Sequence, residues 1–289
     1  MKTILVPVDF SDNSKNALDY AIKLAKRLNM KLMLLHAFHP TLVEAISDSY
    51  KVLTNKDFDE TPKEMKSQLN MWQKAIVTSE SKLDCDVSFV EGDLADEINE
   101  LIENNDIDLI VMGTKGATGL KSVFIGSNTA RVIETVLCPV LAVPTDYKFR
   151  DYKKIAFATD YHDSDKISVD FLIDISKQFD SQLEIVHIAN EDIKPRFEED
   201  LLEHFTAQIK KSIAYKKMNF NLVEGGDSIK RSLSTFILKN QIDLLAISTR
   251  ERILTGPLFN RGLTKNMAHH IVIPLLVFHA YDDTDLDLY

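Results

Sequence analysis

Short apolar runs alternate with longer amphipathic stretches along the chain. Residues 3–8 form a continuous apolar run, which predicts a strand buried on both faces of a parallel sheet. Apolar residues then recur at helical spacing from Ala17 to Leu28, after a polar start at Ser11 and Asp12 that suits a helix N-terminus. The same alternation predicts further strands at 32–37, 86–90, 109–112 and 140–143, and helices ending near 82, at 94–103 and at 127–136. Such a series requires right-handed crossovers and predicts a doubly wound parallel sheet.

The second half of the chain repeats the first. Residues 2–9 align with residues 153–160, and residues 139–143 match residues 274–278. We therefore interpret the chain as an internal duplication of the α/β class, with two doubly wound, Rossmann-like, five-stranded parallel sheets. The predicted domains span 1–146 and 150–280, followed by an acidic tail at 281–289. Ligands of such sheets lie beyond the carboxyl ends of the strands, where the strand order reverses.

A glycine-containing loop follows the strand predicted at 109–112. Gly113 and Gly116 open it, and after nine intervening residues Gly126 and Ser127 precede a helical pattern. Glycine permits close backbone approach, and a helix N-terminus favours a phosphate, to which the hydroxyls of Ser127 and Thr129 can donate. The spacing is neither that of a P-loop nor that of a dinucleotide fingerprint. The alternative is an ordinary strand-to-helix connection with a glycine turn and a serine cap.

These motifs together resemble a known family. The pattern Gly-x-x-Gly, nine residues, Gly-Ser, with the runs at 4–9, 108–113 and 138–143, is similar to that of ATP-binding universal stress proteins. The resemblance covers nearly the whole first half and, more weakly, the second. It implies an adenine nucleotide α-hydrolase-like fold and a stress-response regulator that binds ATP, with Mg²⁺ held mostly by phosphates and water. The sequence places no general base or arginine finger at this site, so little or no hydrolysis is expected, at most a slow ATPase activity.

The resemblance assigns roles to individual positions. Asp9 would hydrogen-bond the nucleotide near its ribose and adenine, although capping of the following helix is a serious alternative. Ala37 would present its backbone to adenine, Met112 and Gly113 would flank the ribose, and Gly116 would approach the phosphates. The residues that would hold the triphosphate are Gly126, Ser127 and Asn128.

The second half departs from this pattern. Ser248, Glu251 and Arg261 stand where the first half has its three glycines, although Asp160 keeps the first-strand acid. A carboxylate at the phosphate approach would repel the ligand, so this half is not expected to bind ATP in the family's manner. The family pairs the fifth strands of two domains, so the strands at 140–143 and 275–278 are expected to pair within one chain. This pairing would make an intrachain pseudo-dimer, and association of two chains into a homodimer stays open.

Two rival functions remain open. An adenylate-forming enzyme of the related fold would carry a Ser-Gly-Gly loop or a His-x-Gly-His motif, and residues 10–14 contain neither. A nucleotide-independent scaffold is the second rival, and the intact glycines of the first half argue against it. His36 and His187 occupy matching strand positions, which favours packing and a buried hydrogen bond over catalysis.

The composition of the chain limits the classes of binding partner that are expected. The net charge is −10 and no basic cluster is present, so nucleic acid is not an expected partner. No apolar run approaches the ~20 residues that span a bilayer, so no membrane association is expected. Cys85 and Cys138 lie far apart without metal-ligand spacing, which argues against a disulfide and for a cytoplasmic location. The expected partners are an adenine nucleotide and an unidentified protein that reads its occupancy.

Overall fold

The computed structural model describes residues 2–38, 61–116, 123–124, 126–162, 164–189, 195–212, 214–226, 228–250 and 273–280. In chain order, the first half contains β1 (Thr3–Pro7), α1 (Asp12–Leu28), β2 (Lys31–Phe38), α2 (Pro62–Ser79), β3 (Cys85–Glu91), α3 (Leu94–Asn104), β4 (Ile107–Gly113), β5 (Lys115–Gly116), β6 (Val123–Phe124), α4 (Ser127–Thr135) and β7 (Val140–Val143). The second half contains β8 (Lys154–Ala158), α5 (Asp165–Phe179), β9 (Gln182–Ile188), α6 (Pro195–Ser212), β10 (Met218–Val223), α7 (Ile229–Asn240), β11 (Leu244–Arg250) and β12 (Leu275–Ala280). The elements predicted for the first half are present, with bounds that differ by a few residues at most.

Ten strands form one sheet in the order β10-β9-β8-β11-β12-β7-β4-β1-β2-β3. Within each half every described pair of these strands is parallel. The first five strands and the last five have the same order read from opposite edges of the sheet. The fold is therefore α/β and Rossmann-like, and the two predicted five-stranded sheets join into one.

The two halves meet at an antiparallel pair in the middle of this sheet. β12 pairs with β7, with Leu276 opposite Leu141, Leu275 opposite Ala142 and Val277 opposite Val140. Because residues 139–143 repeat as 274–278, this register places equivalent residues symmetrically about the Leu141–Leu276 pair. The expected pairing of the two fifth strands within one chain is thus present as a pseudo-twofold joint.

One core layer lies on each face of the sheet and spans both halves. The first includes Val6 and Leu24 from the first half with Phe157 and Leu172 from the second. The other joins β1 and α4 of the first half to β8 and α7 of the second. Among the helices that the structure describes, none is long and apolar enough to cross a membrane.

A buried tyrosine pair ties the connection between the halves to α1. Tyr20 and Tyr152 are each 1% exposed, and their hydroxyl oxygens lie 2.7 Å apart. Burial is the main reason why the pKa of each phenol lies above its ordinary value. Each hydroxyl therefore depends on the other for its buried hydrogen bond.

We expect Tyr152→Phe to lower the free energy of unfolding by about 1–3 kcal/mol, because it leaves the Tyr20 hydroxyl buried without this partner. The double variant Tyr20→Phe, Tyr152→Phe should lose less free energy of unfolding than the sum of the two single variants, because it removes both polar groups. Urea unfolding of the four proteins in a double-mutant cycle measures this coupling. Strictly additive effects would show that the two hydroxyls do not interact.

Candidate functional site

The strand order reverses beside β1. From β1 the chain proceeds to β2 and β3 on one side, then returns to place β4 and β7 on the other side. α1 packs on one face of the sheet and α4 on the opposite face, and both begin just beyond the carboxyl ends of β1 and β4. Two helix N-termini therefore flank the switch point, where a doubly wound sheet binds its ligand.

The backbone of Ala37 faces the gap at this switch point. Val8 N–H donates to the Leu35 carbonyl at 2.8 Å, whereas Gly92 N–H donates to the Phe38 carbonyl at 3.0 Å. Along a strand, the N–H and C=O groups of successive residues point alternately to the two neighbouring strands. The N–H and C=O of Ala37, two residues after Leu35, therefore point to the same side as those of Leu35, toward β1. β1 has already ended at this level, which leaves the Ala37 N–H and C=O directed into the crevice.

Asp9 lies at the carboxyl end of β1 and takes part in the turn that starts α1. Its Oδ1 accepts the Ser11 N–H at 3.1 Å and the Ser11 hydroxyl at 2.5 Å, and Ser11 in turn caps α1 by accepting the Ser14 N–H. Partial burial alone would raise the pKa of Asp9, but the hydrogen bonds from Ser11 and Ser14 outweigh it and lower the pKa. Ser11 and not Asp9 is therefore the N-cap of α1, and Asp9 Oδ1 supports the turn that leads into the helix.

Gly113 allows β4 to approach the first turn of α1. A Cβ on Gly113 would lie 2.7 Å from the backbone oxygen of Asn13. The Gly113 carbonyl accepts the Thr129 hydroxyl at 2.9 Å, which ties α4 to the end of β4. The expectation that Thr129 donates to phosphate is wrong for this structure, because its buried hydroxyl is engaged within the protein.

Gly113→Ala should lower the free energy of unfolding by about 1–3 kcal/mol, because the methyl group overlaps a backbone atom that cannot move alone. Gly92→Ala is the matched control. At Gly92 the new methyl group meets the carboxylate end of the flexible Glu97 side chain, which can move aside. We therefore expect the free energy of unfolding to change by about 0.5 kcal/mol or less. Chemical denaturation compares the two variants, and equal losses would contradict this account of Gly113.

The remaining predicted residues surround the start of α4. Met112 is buried at the end of β4, and the backbone of Gly116 pairs with Val123 in the β5–β6 hairpin, which the sequence did not predict. Gly126 is the N-cap of α4 with extended backbone and no side-chain cap, while Ser127 and Asn128 are exposed in its first turn. The first-turn N–H groups of α4 thus receive no side-chain cap.

Asn13 is a residue that sequence reasoning missed. It lies in the first turn of α1 beside Gly113, and its Oδ1 is a buried side-chain oxygen with no hydrogen-bond partner among the residues that the structure describes. A buried acceptor without a donor is costly, so its presence at the switch point fits a site that a ligand completes. Nothing in the sequence pattern distinguishes Asn13 from an ordinary helix-start residue.

His36 has a structural role, as its repeated position indicated. Its Nδ1 lies 2.7 Å from the Val8 carbonyl, so this nitrogen carries the proton and donates. Phe10 stacks on the imidazole with ring centroids 4.7 Å apart, and Trp72 contacts Phe10 edge-on. His187 makes the same contact with a backbone carbonyl in the second half. The interpretation as packing and a buried hydrogen bond is confirmed for both.

The corresponding crevice of the second half is built from different groups. Ser248 stands where Gly113 stands and is buried, with its hydroxyl 3.3 Å from that of Ser168. Two buried acidic side chains also lie in this region. Asp165 accepts the Thr159 hydroxyl, and Glu198 lies 3.1 Å from His187 Nε2. Neither acid was predicted from the sequence. Glu251, Arg261 and the acidic tail lie outside the described residues.

Both cysteines are free and buried. Burial raises the pKa of each thiol to about 12, which leaves the thiols protonated and unreactive at neutral pH. The disulfide that the sequence argued against is therefore not formed. In the part of the chain that the structure describes, no group of three or more His, Cys, Asp or Glu side chains is arranged to hold a metal ion.

The fold and this crevice define a doubly wound α/β protein with its candidate site at the strand-order reversal. Comparison with a solved universal stress protein from Archaeoglobus fulgidus supports the fold, with a TM-score of 0.72 over 96% of this chain and 98% of that one, at 17% identity. The model of the universal stress protein family matches residues 1–144.

Two relatives establish the family. Universal stress protein MJ0531 of Methanocaldococcus jannaschii is 33% identical over 147 residues, which cover 49% of this chain and 81% of that protein. Universal stress protein YxiE of Bacillus subtilis is 33% identical over 143 residues, which cover 48% of this chain and 97% of that protein. The chain belongs to the universal stress protein family, and each relative corresponds to about half of it.

Proposed function

We propose that the first half binds ATP, accompanied by Mg²⁺, and that the protein is a stress-response regulator controlled by occupancy of this site. The observation that carries the proposal is the crevice beyond β1 and β4. The backbone edge of Ala37, the first turn of α4 and the buried Oδ1 of Asn13 border it. A ligand with a hydrogen-bonding base, hydroxyl groups and phosphates matches these three features.

Each end of the nucleotide would find a different kind of group. The Ala37 N–H and C=O would pair with the adenine edge, and the Asp9 carboxylate and Asn13 Oδ1 would accept from the ribose hydroxyls. The first-turn amides of α4 and the Ser127 hydroxyl would hold the phosphates, where the helix dipole favours negative charge. Mg²⁺ would be held mainly by phosphate oxygens and water, which suits its preference for keeping several waters.

The groups at this crevice favour binding over hydrolysis. The lowered pKa of Asp9 makes its carboxylate a weak general base at neutral pH. His36 lies nearby, but its imidazole is buried and stacked against Phe10, which keeps it from a bound phosphate. We therefore propose that ATP is hydrolysed slowly or not at all, and that a protein partner responds to the bound state.

We propose further that 1–146 is the nucleotide-binding domain and 150–280 a degenerate copy that does not bind ATP. The buried Ser248 hydroxyl and the carboxyl groups of Asp165 and Glu198 support this, because the first half has Gly113 where Ser248 stands and the two acids add buried polar groups nearby. A cytoplasmic location, suggested by the two unpaired cysteines, and association into homodimers remain proposals.

Calorimetric titration of the nucleotide-stripped full chain with ATP and Mg²⁺ tests the proposal. We expect one ATP per chain, and weaker binding of GTP, whose base carries an oxygen where adenine carries the amino group. A stoichiometry of about two ATP per chain would show that the second half binds ATP as well. Absence of binding by folded protein would contradict the proposal.

A further inference from the structure

The pseudo-twofold joint creates two related crevices at the opposite end of the sheet from the candidate nucleotide site. α1 packs against α5 across the joint, and α5 lies beside the amino ends of β1 and β4 of the first half. The repeat makes Tyr20 equivalent to Phe171, Leu28 to Phe179, and Asp108 to Asp243. The two crevices therefore begin with equivalent walls.

The connection between the halves fills one of them. Phe149 lies between Tyr20 and Phe179, with ring centroids 5.1 Å and 6.3 Å away. The next residue, Arg150, places Nη2 3.0 Å from Oδ1 of Asp243. The ring of Phe149 thus occupies this crevice, and the exposed Arg150 guanidinium pairs with Asp243 at its rim.

The other crevice is a cavity of about 370 Å³, within the range of small-molecule sites. Its walls include Leu28, Phe171 and Asp108, the equivalents of the three residues that hold Phe149 and Arg150. The carboxylates are also anchored alike. Asp108 Oδ2 accepts the Thr3 N–H at 3.1 Å, as Asp243 Oδ2 accepts the N–H of the equivalent Lys154 at 3.0 Å.

We propose that this cavity binds a small organic cation that carries an aromatic ring, with a guanidinium or ammonium group on Asp108 Oδ1 and the ring between Leu28 and Phe171. The filled crevice shows that equivalent walls accept this combination of groups. Lys2 also lines the cavity, but the equivalent Lys153 does not prevent Arg150 from pairing with Asp243.

The other charges at the cavity do not compete strongly for such a ligand. Lys177 and Asp174 both line it, and they form a pair with their charged atoms 3.4 Å apart. The half-buried Asp108 is more enclosed than this exposed pair. Since a carboxylate held by a backbone amide is fixed in place, it can bind a cation without rearrangement.

The test is a ligand-observed NMR titration of the full chain with 2-phenylethylguanidine, using 3-phenylpropanoate as the aromatic anion. We expect saturable binding of the cation below about 1 mM and at least tenfold weaker binding of the anion. Asp108→Asn should weaken binding of the cation at least tenfold, because the asparagine keeps an acceptor for the Thr3 N–H but removes the negative charge. Gln178→Trp, at the exposed rim of the cavity, should also weaken it.

Saturating ATP and the Ser127→Asp variant should leave the affinity for the cation within about twofold, which separates this site from the proposed nucleotide site. No binding at about 10 mM, equal binding of the anion, or an unchanged affinity in both Asp108→Asn and Gln178→Trp would overturn the proposal. Competition by ATP would place the cation at the nucleotide crevice and would overturn it equally.

Discussion

Replacing Ser127 with Asp is expected to lower the proposed affinity for ATP at least about 100-fold, a loss of about 2.7 kcal/mol or more in binding free energy. Ser127 is exposed in the first turn of α4, so the new carboxylate stands where the proposed site receives phosphate. Two like charges a few ångströms apart near a protein surface repel by several kcal/mol. The same carboxylate stabilises the helix N-terminus by about 0.3–1 kcal/mol, so folding is preserved.

Calorimetric titration and thermal unfolding of this variant separate the two effects. Ser228→Asp is the matched control, because Ser228 is an exposed helix N-cap without a side-chain cap bond in the second half. We expect its ATP affinity to stay within about twofold of the unmodified chain. If Ser127→Asp binds ATP normally, the phosphates do not lie at the start of α4.

Truncation of Leu276 to Ala lowers the free energy of unfolding of the whole chain by about 2–5 kcal/mol. Leu276 is 1% exposed and faces Leu141 at the centre of the antiparallel joint. Each core layer continues across this joint, so the loss is expected to reach both halves. Trp72 is the only tryptophan and lies in α2 of the first half, which makes its fluorescence a reporter distant from the change.

Urea unfolding followed through Trp72 fluorescence measures this transmission. The control is Leu238→Ala, at a residue that is 71% exposed on α7, for which we expect a change of about 0.5 kcal/mol or less. A Trp72 transition that does not move in Leu276→Ala would show that the first half unfolds independently, against the structure of a shared core.

The fold was largely predictable because its signals are local and repeated. A continuous apolar run predicts β1, the spacing of apolar residues predicts α1, and the family resemblance, applied to the repeat, predicts the joint of β7 with β12. Local patterns do not give the register of that joint or the filling of one crevice by Phe149 and Arg150, because both depend on how two distant segments pack.

The candidate site was predictable only in part. The glycine spacing located the end of β4 and the start of α4, but it gave the wrong partner for Thr129, whose hydroxyl binds the Gly113 carbonyl. Nor did it show that Gly113 is required by the backbone of Asn13, because such a contact joins residues 100 positions apart in the chain. The buried Asp165 and Glu198 were missed because single acids carry no pattern.

Hydrogen exchange of the full chain with and without ATP and Mg²⁺ tests most directly the claim that nucleotide binds at the switch point of the first half alone. We predict slower exchange in peptides that contain residues 9–14, 36–38, 112–116 and 126–130, because their amides border the proposed site. Peptides from the equivalent positions of the second half, 160–165, 187–189 and 247–250, should exchange at unchanged rates. Comparable protection in the second half, or protection in neither set while ATP is bound, would contradict the account.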